Sequence, residues 1–111
     1  MPTLVLLNLE CHDTEDDSGG DEAYLRINGG KVWGPTNIND GQTKDLGGVG
    51  PFPFVENIRI DLYDEDLGHW PDPDDHLGTQ YVWKGQSGQG EQHLPFSGSR
   101  WNYTLHCRVD A

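Results

Sequence analysis

Apolar and polar residues alternate along most of the chain. Val5, Leu7, Leu9 and Cys11 fall on one face of the first stretch, and Asn8, Glu10 and His12 on the other. A period of two marks strands with one buried face. Residues Ala23 to Ile27 repeat the pattern with Leu25 and Ile27 inward, and Asn28-Gly29-Gly30 then supplies the positive-φ residues of a tight turn into Lys31-Val32-Trp33, which predicts a hairpin. Glycine, proline and asparagine break residues 34–53 so often that only a short strand near Gln42 to Leu46 is expected. Alternation returns from Val55 to Tyr63, with Ile58, Ile60 and Leu62 on the buried face, and again from Leu77 to Trp83. Gly85 to Gly90 reads as a loop. In the last strand Trp101, Tyr103, Leu105, Cys107 and Val109 all point one way. No stretch carries helical periodicity, and no internal repeat is present. Six to eight strands at this spacing predict an all-β antiparallel sandwich, a single domain over residues 1–111.

Composition narrows the function. The chain has 111 residues, of which 33% are hydrophobic, with 15 Gly and 7 Pro, a mix that suits short strands and turns. Its net charge of −12 argues against nucleic acid and against unaided binding to anionic membranes, since both need a basic face. Leu4-Val5-Leu6-Leu7 is too short and lacks the basic start of a signal peptide or a membrane span, so the default compartment is the cytoplasm. Cys11 and Cys107 lie late in the first and last strands. If those strands pair antiparallel, the two thiols fall at opposite ends and stay free.

Charge placement is the sharper signal. Six acids lie in residues 13–22 and seven in residues 61–75, together thirteen of the nineteen in the chain. The strand ending Leu62-Tyr63-Asp64-Glu65-Asp66 delivers a D-x-D pair, a loop broken by glycine and proline follows, and Asp72-Pro73-Asp74-Asp75 leads into the next strand. Oxygen-only ligands from two strand ends suit a hard divalent cation, above all Ca2+. Carboxylates a few ångströms apart repel by roughly 1 kcal/mol per pair even with water-like screening, and a bound cation reverses that penalty. Asp13, Asp16, Asp17 and Asp21 in the first acidic loop and Asp64, Asp66, Asp72, Asp74 and Asp75 in the second are the candidate ligands. An EF-hand is excluded, because Gly68 stands at position 5 of a loop counted from Asp64 as position 1, where a ligand is needed, and no closing glutamate follows.

Gly20-Asp21-Glu22-Ala23-Tyr24-Leu25, then Leu62-Tyr63-Asp64-Glu65-Asp66, then Asp75-His76-Leu77-Gly78 resemble the two calcium loops of C2 domains, and the pattern extends over residues 3–109. The resemblance implies a C2-like sandwich in which Asp21, Asp64, Asp66 and Asp75 are ligands, with the partner upstream of Asp21 open among Asp13, Asp16 and Asp17. Glu22-Ala23 replaces the family's proline, the loop from Leu67 to Asp74 is longer, and the basic groove used by many members for phosphoinositides has no visible equivalent.

Catalysis finds little support. Cys11 and His12 are neighbours on a strand and project to opposite faces, so they cannot pair as nucleophile and base. Ser87 lacks a nucleophile elbow. His69, His76, His93 and His106 lack ligand spacing along the chain, which argues against zinc. Trp33, Trp83 and Trp101 are expected to pack on strands. Trp70, inside the acidic loop, either folds back over it or serves as a contact residue. The expected function is therefore that of a calcium-binding interaction module, not an enzyme. The alternative is a structural sandwich in a larger assembly whose loops calcium only braces. The expected partner is a protein or glycan surface or another copy of the chain, and strong membrane binding is not expected.

Overall fold

A computed structural model describes residues 1–15, 20–65 and 74–111. Nine strands occur among these residues: β1 (Thr3–Asp13), β2 (Asp21–Ile27), β3 (Gly30–Ile38), β4 (Thr43–Asp45), β5 (Phe52–Pro53), β6 (Asn57–Asp64), β7 (Asp75–Trp83), β8 (Glu91–Ser97) and β9 (Asn102–Asp110), with one 3-10 turn at Lys84–Gln86. They form two antiparallel sheets. One runs β4-β1-β9-β8, with β5 also pairing β1, and the other runs β3-β2-β6-β7. The architecture is the expected all-β sandwich, with more strands than the pattern alone reveals.

Inward residues of both sheets form one core. Leu25, Ile60, Leu62, Tyr103, Leu105 and Cys107 are fully buried there, as the alternation requires. In β1 the face assignment is corrected. Leu4 and Leu6 are buried with Leu9 and Cys11, whereas Val5 and Leu7 are only half-buried. The pairing of β1 with β9 shifts between Leu6 and Asn8, so Leu7 is an extra residue that switches the buried face midway. At the β2–β3 hairpin the positive φ values belong to Asn28 (49°) and Gly29 (88°), and Gly30 is already in β3. That two-residue turn matches the twist of the strands it joins.

Two further expectations change. Trp33 and Trp101 pack against the core, and the Trp101 indole donates to the Leu77 carbonyl at 2.8 Å, but Trp83 is 53% exposed. Its neighbour Val82 takes the inward position instead. Strand β8 lies in a stretch without an expected element. The thiols behave as expected: Leu6 pairs with Cys107 and Cys11 with Tyr103, so the two cysteines are separated along the ladder, both buried and both free. Thr3 pairs with Asp110, which brings the termini together.

Candidate metal-binding loops

Antiparallel pairing gathers the acidic strand ends at one end of the sandwich. Asp13 closes β1 opposite Asn102, Asp21 opens β2 opposite Ile38, and Asp64 at the end of β6 pairs directly with Asp75 at the start of β7. Strand ends present backbone N–H groups with no ladder partner, and carboxylates are suited to accept from them. Asp21 Oδ2 accepts from the Glu15 N–H at 2.8 Å, Asp64 Oδ1 from the Glu22 N–H at 2.8 Å, and Asp40 Oδ1 from the Thr14 N–H at 2.8 Å. Gly20, just before Asp21, has no room for a side chain, since a Cβ there would stand 2.6 Å from the Ile38 carbonyl oxygen.

Glu15, Asp64 and Asp75 each bring one carboxylate oxygen into a group whose members all lie within 4.8 Å of one another. Oxygens on opposite sides of a calcium ion stand roughly 4.6–5.2 Å apart, twice the usual Ca–O distance. Burial raises the stakes. Glu15, Asp21 and Asp64 are three of the four buried charged or polar residues among those described. A buried carboxylate is costly unless donors or a cation compensate it. Arg100, from the turn joining β8 to β9, reaches Glu15 Oε1 at 3.2 Å. All the donors in the group are carboxylate oxygens, which fits a hard cation such as calcium.

The remaining predicted residues take different places. Asp21 is fully buried, and the Tyr103 hydroxyl donates to its Oδ2. Burial first, then the hydrogen bond and charge of Asp21, raise the Tyr103 hydroxyl far above its ordinary range. Asp74 Oδ2 accepts from the Tyr24 hydroxyl at 2.5 Å. Burial, then Asp74, push Tyr24 up to about 12. Tyr24 in turn stacks on Tyr63 at 5.1 Å, with Lys31 Nζ 4.3 Å from its ring centroid. Asp13 is exposed at the end of β1. Asp16, Asp17, Asp66, Trp70 and Asp72 lie outside the described residues. Sequence reasoning did not single out Glu15 as a ligand. It counts among the acids of the first loop, but a loop residue has no periodicity to show where it turns.

No protein-family model matches the chain, and no curated protein sequence is similar to it. Solved structures do match. A C2 domain structure covers 98% of this chain and 94% of its own length, with a TM-score of 0.57 at 15% identity. The Drosophila C2-DSL-EGF1 structure covers 100% of this chain and 68% of its own length, with a TM-score of 0.50 at 11% identity. The chain therefore has a C2-like sandwich fold over nearly its whole length.

Proposed function

We propose that the protein is a calcium-dependent interaction module, in which the ion orders the loops after β1 and β6 into a contact surface. The observation that carries this reading is the meeting of Glu15, Asp64 and Asp75 within 4.8 Å at one end of the sandwich. Glu15 after β1 and the pair Asp64 and Asp75, which flank the loop between β6 and β7, supply oxygen donors where two loops can wrap an ion. Asp21 braces the first loop through Tyr103 and the Glu15 N–H. The role is binding, not catalysis, and the C2-like fold fits that role. The partner of the ordered loops is a protein or glycan surface or a second copy. Among the described residues no helix is long and apolar enough to cross a membrane.

Calorimetric titration of chelator-stripped protein with calcium tests the reading. Saturable binding that is lost in Asp64→Asn and Asp75→Asn is expected. The absence of binding at millimolar calcium, or binding untouched by both substitutions, would refute it.

A further inference from the structure

A second constellation lies on the β4-β1-β9-β8 sheet, on the face turned away from the core. His93 in β8 and His106 in β9 are direct cross-strand partners, their ring centroids 4.5 Å apart. Glu91 precedes His93 by two positions, so the period of the strand places it on the same face. Its Oε2 lies 2.6 Å from His93 Nε2 and 3.1 Å from His106 Nδ1. The three ligand atoms form a compact group. On the far side of His106, Glu10 of β1 accepts at Oε1 from Nε2 at 3.1 Å.

We propose that Glu91, His93 and His106 form a binding site for a divalent transition-metal ion of the zinc class, separate from the acidic loops. The ligand types decide the metal. Two imidazoles and one carboxylate suit zinc, whereas calcium takes oxygen ligands and needs about six to eight of them. The spacing suits it as well. Nitrogen and oxygen ligands held tetrahedrally at about 2.0–2.1 Å from zinc stand roughly 3.4 Å from one another. The observed separations of 2.6 and 3.1 Å reach that value by small rotations of side chains. The His93 and Glu91 side chains are 59% and 48% exposed, free to make those rotations, while the His106 side chain is 17% exposed and held in place.

Glu10 supplies an independent argument. A metal-bound histidine commonly donates its other ring N–H to a carboxylate, which fixes the tautomer and the orientation of the ring. With His106 Nδ1 facing Glu91 and His93, its Nε2 faces Glu10 in that manner. Glu10 also neighbours His12 Nε2 at 3.9 Å, and His12 Nε2 lies 3.0 Å from the Thr104 hydroxyl. A metal bound at Nδ1 would displace any proton there to solvent and leave the Nε2–H donating to Glu10. Three protein ligands on an open sheet face leave the fourth position to water or to a donor from another molecule.

Titration of the chelator-stripped full chain with zinc chloride, alone and in excess calcium, tests the site. Saturable zinc binding that excess calcium does not displace is expected, with the ring signals of His93 and His106 shifting in the NMR spectrum. His93→Ala, at a side chain 59% exposed, should weaken binding by about tenfold or more, and Glu10→Gln by roughly 10–100-fold. Asp64→Asn should leave zinc binding intact. Binding that survives His93→Ala and vanishes in Asp64→Asn would place the metal on the loop carboxylates and overturn the proposal. So would the absence of zinc binding below millimolar concentration, which would reduce the cluster to an ion-pair network.

Discussion

Replacing Asp64 by asparagine removes one charge from the carboxylate group without removing its acceptor. Asp64 is 3% exposed and shares the group with Glu15 and Asp75, whose ligand oxygens lie within 4.8 Å. At that separation each like-charge pair costs between about 1 and 4 kcal/mol, depending on how far water screens it. The amide oxygen of the substituted side chain would still accept from the Glu22 N–H, now through a neutral hydrogen bond that is weaker by about 1 kcal/mol. Two relieved repulsions therefore equal or exceed the loss, and the variant should be no less stable than the native chain in chelator. In calcium the order reverses. At a hundredfold excess over the dissociation constant, an ion bound only to the folded state adds about 2.7 kcal/mol. For a domain of this size that shifts the midpoint by roughly 12 °C, from an unfolding entropy of about 2.1 cal/mol/K per residue. The variant should lose most of that shift. Paired calorimetric melts of both proteins, in chelator and in millimolar calcium, measure the crossover. An Asp64→Asn protein destabilised equally in both conditions would show that the carboxylate only braces Glu22, and the calcium reading would fail.

Tyr103→Phe removes the hydroxyl donor to buried Asp21 and should cost about 1–3 kcal/mol in urea unfolding, with an unchanged m-value. Burial opposes the charge of Asp61, but hydrogen bonds from Thr79 and His76 and the adjacent Arg59 guanidinium outweigh it and lower its pKa. The stability this adds is therefore present above the carboxylate's unfolded pKa of about 3.9 and is lost as pH falls through the lower folded value. Asp61→Asn should flatten that acid limb in pH-dependent melts, and an unchanged slope would refute the assignment. Burial pushes the Cys11 thiol up to about 11 and, helped by the charge of Glu91, the Cys107 thiol up to about 12. A thiol-specific disulfide reagent should label neither in the native protein and both after denaturation. Calcium should not drive strong pelleting with phosphatidylserine vesicles, since two bound ions would leave the net charge of −12 near about −8. Calcium-dependent pelleting abolished by Trp70→Ala would contradict this.

What could be read from the sequence depended on whether residues obeyed a period. Strands β2, β6 and β9 bury an apolar side chain at every second position, with Tyr24 of β2 buried besides from the opposite face, so their cores were legible. Strand β1 kept the alternation, but the bulge at Leu7 made it misleading halfway along. Strand β8 stayed hidden because it is a sheet edge with Pro95 inside it and only Leu94 and Phe96 buried. An edge tolerates proline that a central strand would not, and an edge needs few apolar residues. Missing β8 also hid the histidine cluster. His93 and His106 have no ligand spacing along the chain and meet only through the register of β8 with β9. At the acidic loops, the aspartates at strand ends were legible because a strand fixes where its last residue sits. The turn of Glu15 toward Asp64 and Asp75 depends on tertiary packing and leaves no trace in spacing.

The two candidate sites differ in donor set because they differ in what holds the side chains. Cross-strand neighbours on one sheet face stand about 4.5–5.5 Å apart at Cβ. A few of them can supply three close ligands of the kind that zinc takes, and Glu91, His93 and His106 are placed to do so. A pleated face cannot wrap an ion, because every side chain on it points the same way, so it cannot supply the six to eight oxygens of calcium. Strand ends can. Where β1 and β6 stop and β2 and β7 begin, the backbone turns, and backbone N–H groups donate to Asp21, Asp64 and Asp40. At Asp64 a carboxylate oxygen converges with those of Glu15 and Asp75. The same donors that cap the strands thus pre-position carboxylates that would otherwise repel one another apart. Concentrating acids at this end, and histidines with glutamates on the outer face of β1, β9 and β8, gives one small sandwich two donor sets of different hardness.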